Sequence, residues 1–192
     1  NICIKRFACH INAHAPIEAL QKLKEQHRFA PEDIKEIVVA GIEKLVTHHG
    51  IYRPRDLMMA QYSIPFCVAL SLCNDLRDPG SFDERKIRDR KMISLARLVR
   101  LEVDPEIEEK GWDRAARVTV RLKNGARHSA LVIHFKGTPK NPLSPTELED
   151  KATRLTRKLI SARRRARLFQ EVDRLEKLAS VSTLTSLLRR DR

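Results

Sequence analysis

An α+β fold is what this sequence predicts: a small antiparallel sheet with flanking helices, followed by a helical appendage. Three observations carry it. In the first part of the chain most apolar residues recur at helical spacing, and between 97 and 137 the period changes to two. From Ser144 onward a strong helix start opens a long basic stretch with helical patterning.

The elements follow in order. "NAHAPIEALQKLKEQHRF" (12–29) spaces Ile17, Leu20 and Leu23 on one face, with Pro16 where a first turn tolerates it, so it reads as a helix. "APEDIKEIVVAGIEKLV" (30–46) opens like a helix, but its β-branched run favours a strand centred on 36–43. "HHGIYRPRD" (48–56) reads as a loop. "DLMMAQYSIPFCVALSLCNDL" (56–76) reads as one long apolar helix that Pro65 kinks or opens. "DPGS" (78–81) is a turn, and 83–98 is a charged helical stretch. Three strands follow at 97–104, 114–125 and 127–137. Val118, Val120 and Leu122 alternate with Thr119 and Arg121, as a sheet with one wet face requires, and Asn124-Gly125 marks a hairpin tip. Ser144, Pro145 and Glu147 form a capping box, and the tail beyond is helical with a break near 178–183.

The 192 residues include 42% hydrophobic ones, enough for a core, and only 5% aromatics. No apolar run is long enough for a transmembrane helix, and the opening residues lack the apolar stretch of a secretory signal. Cys3, Cys9, Cys67 and Cys73 lack CxxC spacing, so reduced thiols in a cytoplasmic protein are expected. The chain opens on Asn, which points to a processed, truncated or excised piece. The net charge of +13 is uneven: residues 151–192 hold 13 Lys/Arg against 4 Asp/Glu, whereas the first 150 hold 25 against 21. The tail is therefore either a solvated helix face or a polyanion-binding surface. A basic interaction or nucleic-acid-binding module, docking through "RKLISARRRARLF" (157–169), stays open, although the body shows no nucleic-acid motif and few aromatics for stacking bases.

The stretch "IKRFACHINAH" (4–14) gathers the most chemistry. Cys9, His10 and His14 are possible metal ligands, but no second cluster with matching spacing completes a site, so no metal is expected. A Cys9 thiolate beside Lys5, Arg6 and His10 would be activated, yet nothing marks an orienting partner or an oxyanion hole. Acid–base work on an anionic substrate fits better: Lys and Arg bind carboxylates while His10 handles a proton. His14, on the helix that follows, reads as structural.

The succession "KRFACHINAH", "PEDIKEIVV", "AQYSIPFCVAL", "RLVRLEVD", the strand pair around "KNG" and "GTPKNPLSPTELEDK" resembles the C-terminal part of the MmgE/PrpD family. That family includes 2-methylcitrate dehydratase, cis-aconitate decarboxylase and iminodisuccinate epimerase, and the likeness covers roughly residues 3–160. It implies a lyase or isomerase acting on small di- or tricarboxylic acids without a metal or organic cofactor. It also implies a homodimer in the intact enzyme, away from membranes and nucleic acid. Residues 1–138 would be the smaller, lid-like α+β domain. Residues 143–192 would pack on an all-helical domain or partner chain that this sequence does not contain, which gives Leu155, Leu159, Leu168, Val172, Leu175 and Leu178 a place to go. The family's Lys and His fall on Lys5 and His10, the candidate catalytic residues, with Lys5 also a substrate-carboxylate ligand. Gln61, Ser63 and Phe66 are further substrate-binding candidates. Phe66 falls where some members have tyrosine, so a hydroxyl-dependent role does not carry over. Without the helical domain's acidic and histidine residues, the chain is expected to be incomplete alone.

Overall fold

The alternating residues of 114–125 become the centre of a four-stranded sheet. The structure is a computed structural model and describes residues 2–188. The chain divides into two compact units, Asn1–Pro142 and Leu143–Arg192.

In the first unit, α1 (His14–His27) leads through a 3-10 turn, Pro31–Asp33, to β1 (Ile34–Gly41). Five helices follow: α2 (Glu43–His49), α3 (Leu57–Tyr62), α4 (Ile64–Cys73), α5 (Glu84–Ile87) and α6 (Arg90–Arg97). Then come β2 (Val99–Val103), α7 (Pro105–Glu109), β3 (Ala116–Leu122) and β4 (Arg127–Val132). The strand order is β2-β1-β3-β4.

The α+β class is as expected, but the sheet is mixed rather than wholly antiparallel. β1 pairs in parallel with β2, Ile37 opposite Val99 and Val39 opposite Leu101. The physical reason is the connection: residues 42–98 form a helical crossover, which a parallel pair needs, whereas β3 and β4 are joined by a tight hairpin. In that hairpin Gly125 adopts φ +90°, as the Asn-Gly tip anticipates.

Period-two alternation divides the sheet into two faces. Ile37, Val39, Val118, Val120 and Val132 are buried with α1's Ile17, Leu20 and Leu23 in one core. On the other face Glu36 on β1 bridges Arg100 on β2 (3.4 Å) and Arg121 on β3 (3.1 Å), a cross-strand ladder in place of a second layer. α4 runs through the core beside α1 and α6, and every residue from Ile64 to Leu72 is buried. A helix that is apolar all round belongs in such a place.

The long helix expected over 56–76 is two helices. Ser63 ends α3 with extended φ/ψ and caps α4, its hydroxyl accepting the Phe66 N–H at 3.0 Å, and Pro65 sits in the first turn of α4. Residues 43–49, expected as strand end and loop, form α2, and α7 is likewise an addition to the expected elements.

The second unit contains α8 (Pro145–Thr156), α9 (Ala162–Asp173) and α10 (Val181–Leu187). The capping box at α8 is formed in full, Ser144 N–H donating to Glu147 and Glu147 N–H to Ser144 Oγ. The helical run breaks twice, around Ser161, which caps α9, and between Arg174 and Ser180, slightly earlier than the expected 178–183. No helix among the described residues is long and apolar enough to cross a membrane.

A candidate active-site cleft

The segment carrying Lys5 and His10 is irregular, so its place must be fixed by contacts outside regular structure. Four hydrogen bonds do this. Ile4 N–H donates to Gly137 O (2.9 Å), Ala8 N–H to Leu76 O (3.0 Å), His10 N–H to Gln61 O (2.8 Å), and Gln61 Nε2 to Ala8 O (3.0 Å). Gly137 is needed where it stands: at φ +105° a Cβ there would lie 2.0 Å from Ile4 O.

Pinned this way, the His10 ring lies against two others, tilted 35° to His49 at 4.4 Å and 42° to Tyr62 at 4.6 Å between ring centroids. His49 ends α2, is only 3% exposed, and has both nitrogens engaged. A carbonyl oxygen can only accept, so the 3.1 Å contact with Tyr62 O places the His49 proton on Nδ1. Its Nε2 then accepts from Asn12 Nδ2 at 3.1 Å. The same rule settles His10. Its Nδ1 accepts the Asn12 backbone N–H at 3.3 Å, so the neutral ring carries its proton on Nε2. His14 is fully buried, donating from Nδ1 to His10 O (3.2 Å) and accepting the Phe7 N–H on Nε2 (3.3 Å). It is a structural histidine, as its sequence position suggested.

Electrostatics keep His10 neutral. Burial lowers its pKa from 6.5 to about 4, helped by the positive fields of His49, Lys5, His14 and Lys44. His49 is lowered too, chiefly by burial, while its bond to the Tyr62 carbonyl opposes the shift. A neutral imidazole protonated at Nε2 is a hydrogen-bond donor, suited to hold negative charge as it develops on a substrate oxygen.

These groups open onto a cleft of about 640 Å³ lined by His10, Asn12, Lys44, His49, Tyr62 and Arg114, with Ile11, Ile42, His48 and Asp113 completing it. Lys5 is exposed, on the same segment as His10 but outside the cleft lining, and reaches His10 through its charge. Gln61 fastens the His10 segment through the bonds given above. Ser63 and Phe66 are buried behind the cleft: the Ser63 hydroxyl donates to Ile51 O and caps α4, and Phe66 is a core side chain. Cys9 is also buried. A hydrogen bond from Cys67, with smaller help from His14 and Lys5, lowers its thiol pKa against the effect of burial, while burial raises Cys67. Among the described residues no group of three or more His, Cys, Asp or Glu could hold a metal ion.

Asn12, Lys44, His49, Tyr62 and Arg114 escape the sequence reading. His49 lies 37 residues from Asn12 and meets it only because α2 follows β1, a helix the β-branched run conceals.

The model of the MmgE/PrpD C-terminal domain matches residues 7–177. The chain belongs to the MmgE/PrpD family. Its relatives include a cis-aconitate decarboxylase-like protein of Aspergillus oryzae, 27% identical over 98% of this chain and 40% of its own length. The human and mouse cis-aconitate decarboxylases are 25% and 22% identical over the same shares. This MmgE/PrpD chain thus spans about two fifths of the length of the curated relatives it matches.

Proposed function

We propose that the chain supplies one wall of the active site of a lyase acting on small di- or tricarboxylic acids, with His10 as hydrogen-bond donor and Lys5 as a carboxylate ligand. The observation that carries this reading is a neutral His10, protonated on Nε2, on a cleft that also holds Lys44 and Arg114. In the loss of carbon dioxide the breaking C–C bond leaves its electron pair on the remaining carbon framework, delocalised onto a neighbouring carboxylate, until a proton is taken up. In the loss of water or in epimerisation the same charge follows removal of a proton beside that carboxylate. A donor fixed before the reaction stabilises that charge at no reorganisation cost. The base comes from elsewhere in the intact enzyme, since His10 already carries its proton on Nε2 and its other nitrogen is occupied.

The names of the three relatives support a lyase and make cis-aconitate the first substrate to assay, with citrate-type hydroxy acids beside it. In the protein at its full natural length, His10→Ala should lower turnover by roughly tenfold or more while leaving the fold intact by circular dichroism. Turnover within about twofold of wild type would remove His10 from the mechanism.

A further inference from the structure

The cations of the first unit are of two kinds. Arg117, on β3, is satisfied by Asp104 (2.8 Å) and Glu106 (2.6 Å), and Arg100 and Arg121 are tied to Glu36 and Glu102. Lys44 and Arg114 are different. Both are exposed, both line the cleft, and among the described residues neither makes an ion pair. Asp113 is the only carboxylate in the lining among the described residues, so the cations there outnumber it even with the three histidines neutral.

Their meeting is built into the backbone. Lys44 is in the first turn of α2, directly after the end of β1, and Arg114 is two residues before β3. The two segments approach so closely at Gly41 that a Cβ there would lie 3.3 Å from Ala115 O. Lys44 is also near enough to the two adjoining imidazoles for its charge to act on both His10 and His49.

We propose that Lys44 and Arg114 form a second carboxylate-binding position in the cleft that holds His10, selecting ligands with at least two carboxylates. The proposal rests on reading that cleft as a carboxylate site. An arginine offers a planar fork that matches a carboxylate edge-on, and a lysine adds a mobile point charge. A monocarboxylate satisfies only one end of such a site. A di- or tricarboxylate spans both.

The test is calorimetric titration of the full natural chain with tricarballylate (propane-1,2,3-tricarboxylate) and with propionate, at fixed ionic strength. Wild type is compared with Lys44→Gln, Arg114→Gln, His10→Ala and Lys35→Gln. Lys35 is exposed on β1 outside this cleft, so it controls for the loss of one positive charge. Lys44→Gln and Arg114→Gln should each weaken tricarballylate binding by roughly three- to tenfold, change propionate by less than about twofold, and leave the thermal melt in place. Lys35→Gln should alter neither ligand. Tricarballylate binding that depends on His10 but not on Lys44 or Arg114 overturns this inference and leaves the carboxylate site standing. Equal weakening by Lys35→Gln also overturns it, because a general field would then be at work. A wild-type protein that binds neither ligand removes the carboxylate reading and this inference together.

Discussion

His10 shows how a loop residue acquires a defined protonation state from its surroundings. The Asn12 backbone N–H occupies Nδ1, burial and neighbouring positive charges resist a second proton, and the pKa drops from 6.5 to about 4. Because the folded chain refuses a proton that the unfolded chain accepts, the unfolded state binds more protons between those two values. Stability therefore falls as pH falls from about 6.5 to about 4 and loses nothing further from this group below that. His49, shifted in the same direction, adds to the effect. Urea midpoints taken across that range should decline more steeply for wild type than for His10→Asn, and parallel profiles would show that His10 titrates normally. The sequence singles out His10 as a candidate because Lys5, Cys9, His10 and His14 crowd into one stretch. Its partners are not. Nothing in "HHGIYRPRD" distinguishes His49, which is buried, from His48, which is exposed, until α2 turns one of them inward.

At the level of elements, the errors of sequence reading share one cause: a local signal strong enough to hide its neighbour. The β-branched run of β1 identifies that strand but masks the start of α2. The apolar run of 56–76 identifies α4 but hides the break at Ser63. The capping box of α8, the Asn-Gly hairpin and the alternation of β3 are legible because each states its own geometry within a few residues. Parallel pairing of β1 with β2 carries no such mark, since it depends on how the 42–98 crossover packs. The break at Ser63 turns the chain so that Tyr62 and Gln61 face the His10 segment while Phe66 enters the core. Its hydroxyl caps α4 and satisfies the Ile51 carbonyl. Ser63→Ala removes both bonds at a fully buried position and should cost about 1–3 kcal/mol in urea unfolding. A loss under about 0.5 kcal/mol would mean that Pro65 and packing hold the break unaided.

Across the whole molecule, apolar burial is divided very unequally. Among the described residues, Ile160 alone of the buried apolar ones falls in the second unit, whereas Leu148, Leu155, Leu159, Val172, Leu175, Val181 and Leu188 are exposed there. Helices α8, α9 and α10 thus have caps and local ion pairs, such as Arg174 with Glu171 at 2.7 Å, but no core of their own. Local terms of this size do not hold a short helix in water, where tertiary packing of an apolar face supplies most of the stability. We propose that these helices pack on an all-helical domain, supplied by more of the same polypeptide or by a partner chain. Hydrogen exchange tests this directly. In the 192-residue chain alone, amides of α8–α10 should exchange at rates close to those of an unfolded peptide, while those of β1 and β3 open only with the global transition. In the full natural protein the same tail amides should slow by roughly a hundredfold or more, reflecting a few kcal/mol of packing. Tail amides already as protected as β3 in the short chain would show that the second unit is stable by itself and that its apolar residues await no helical layer.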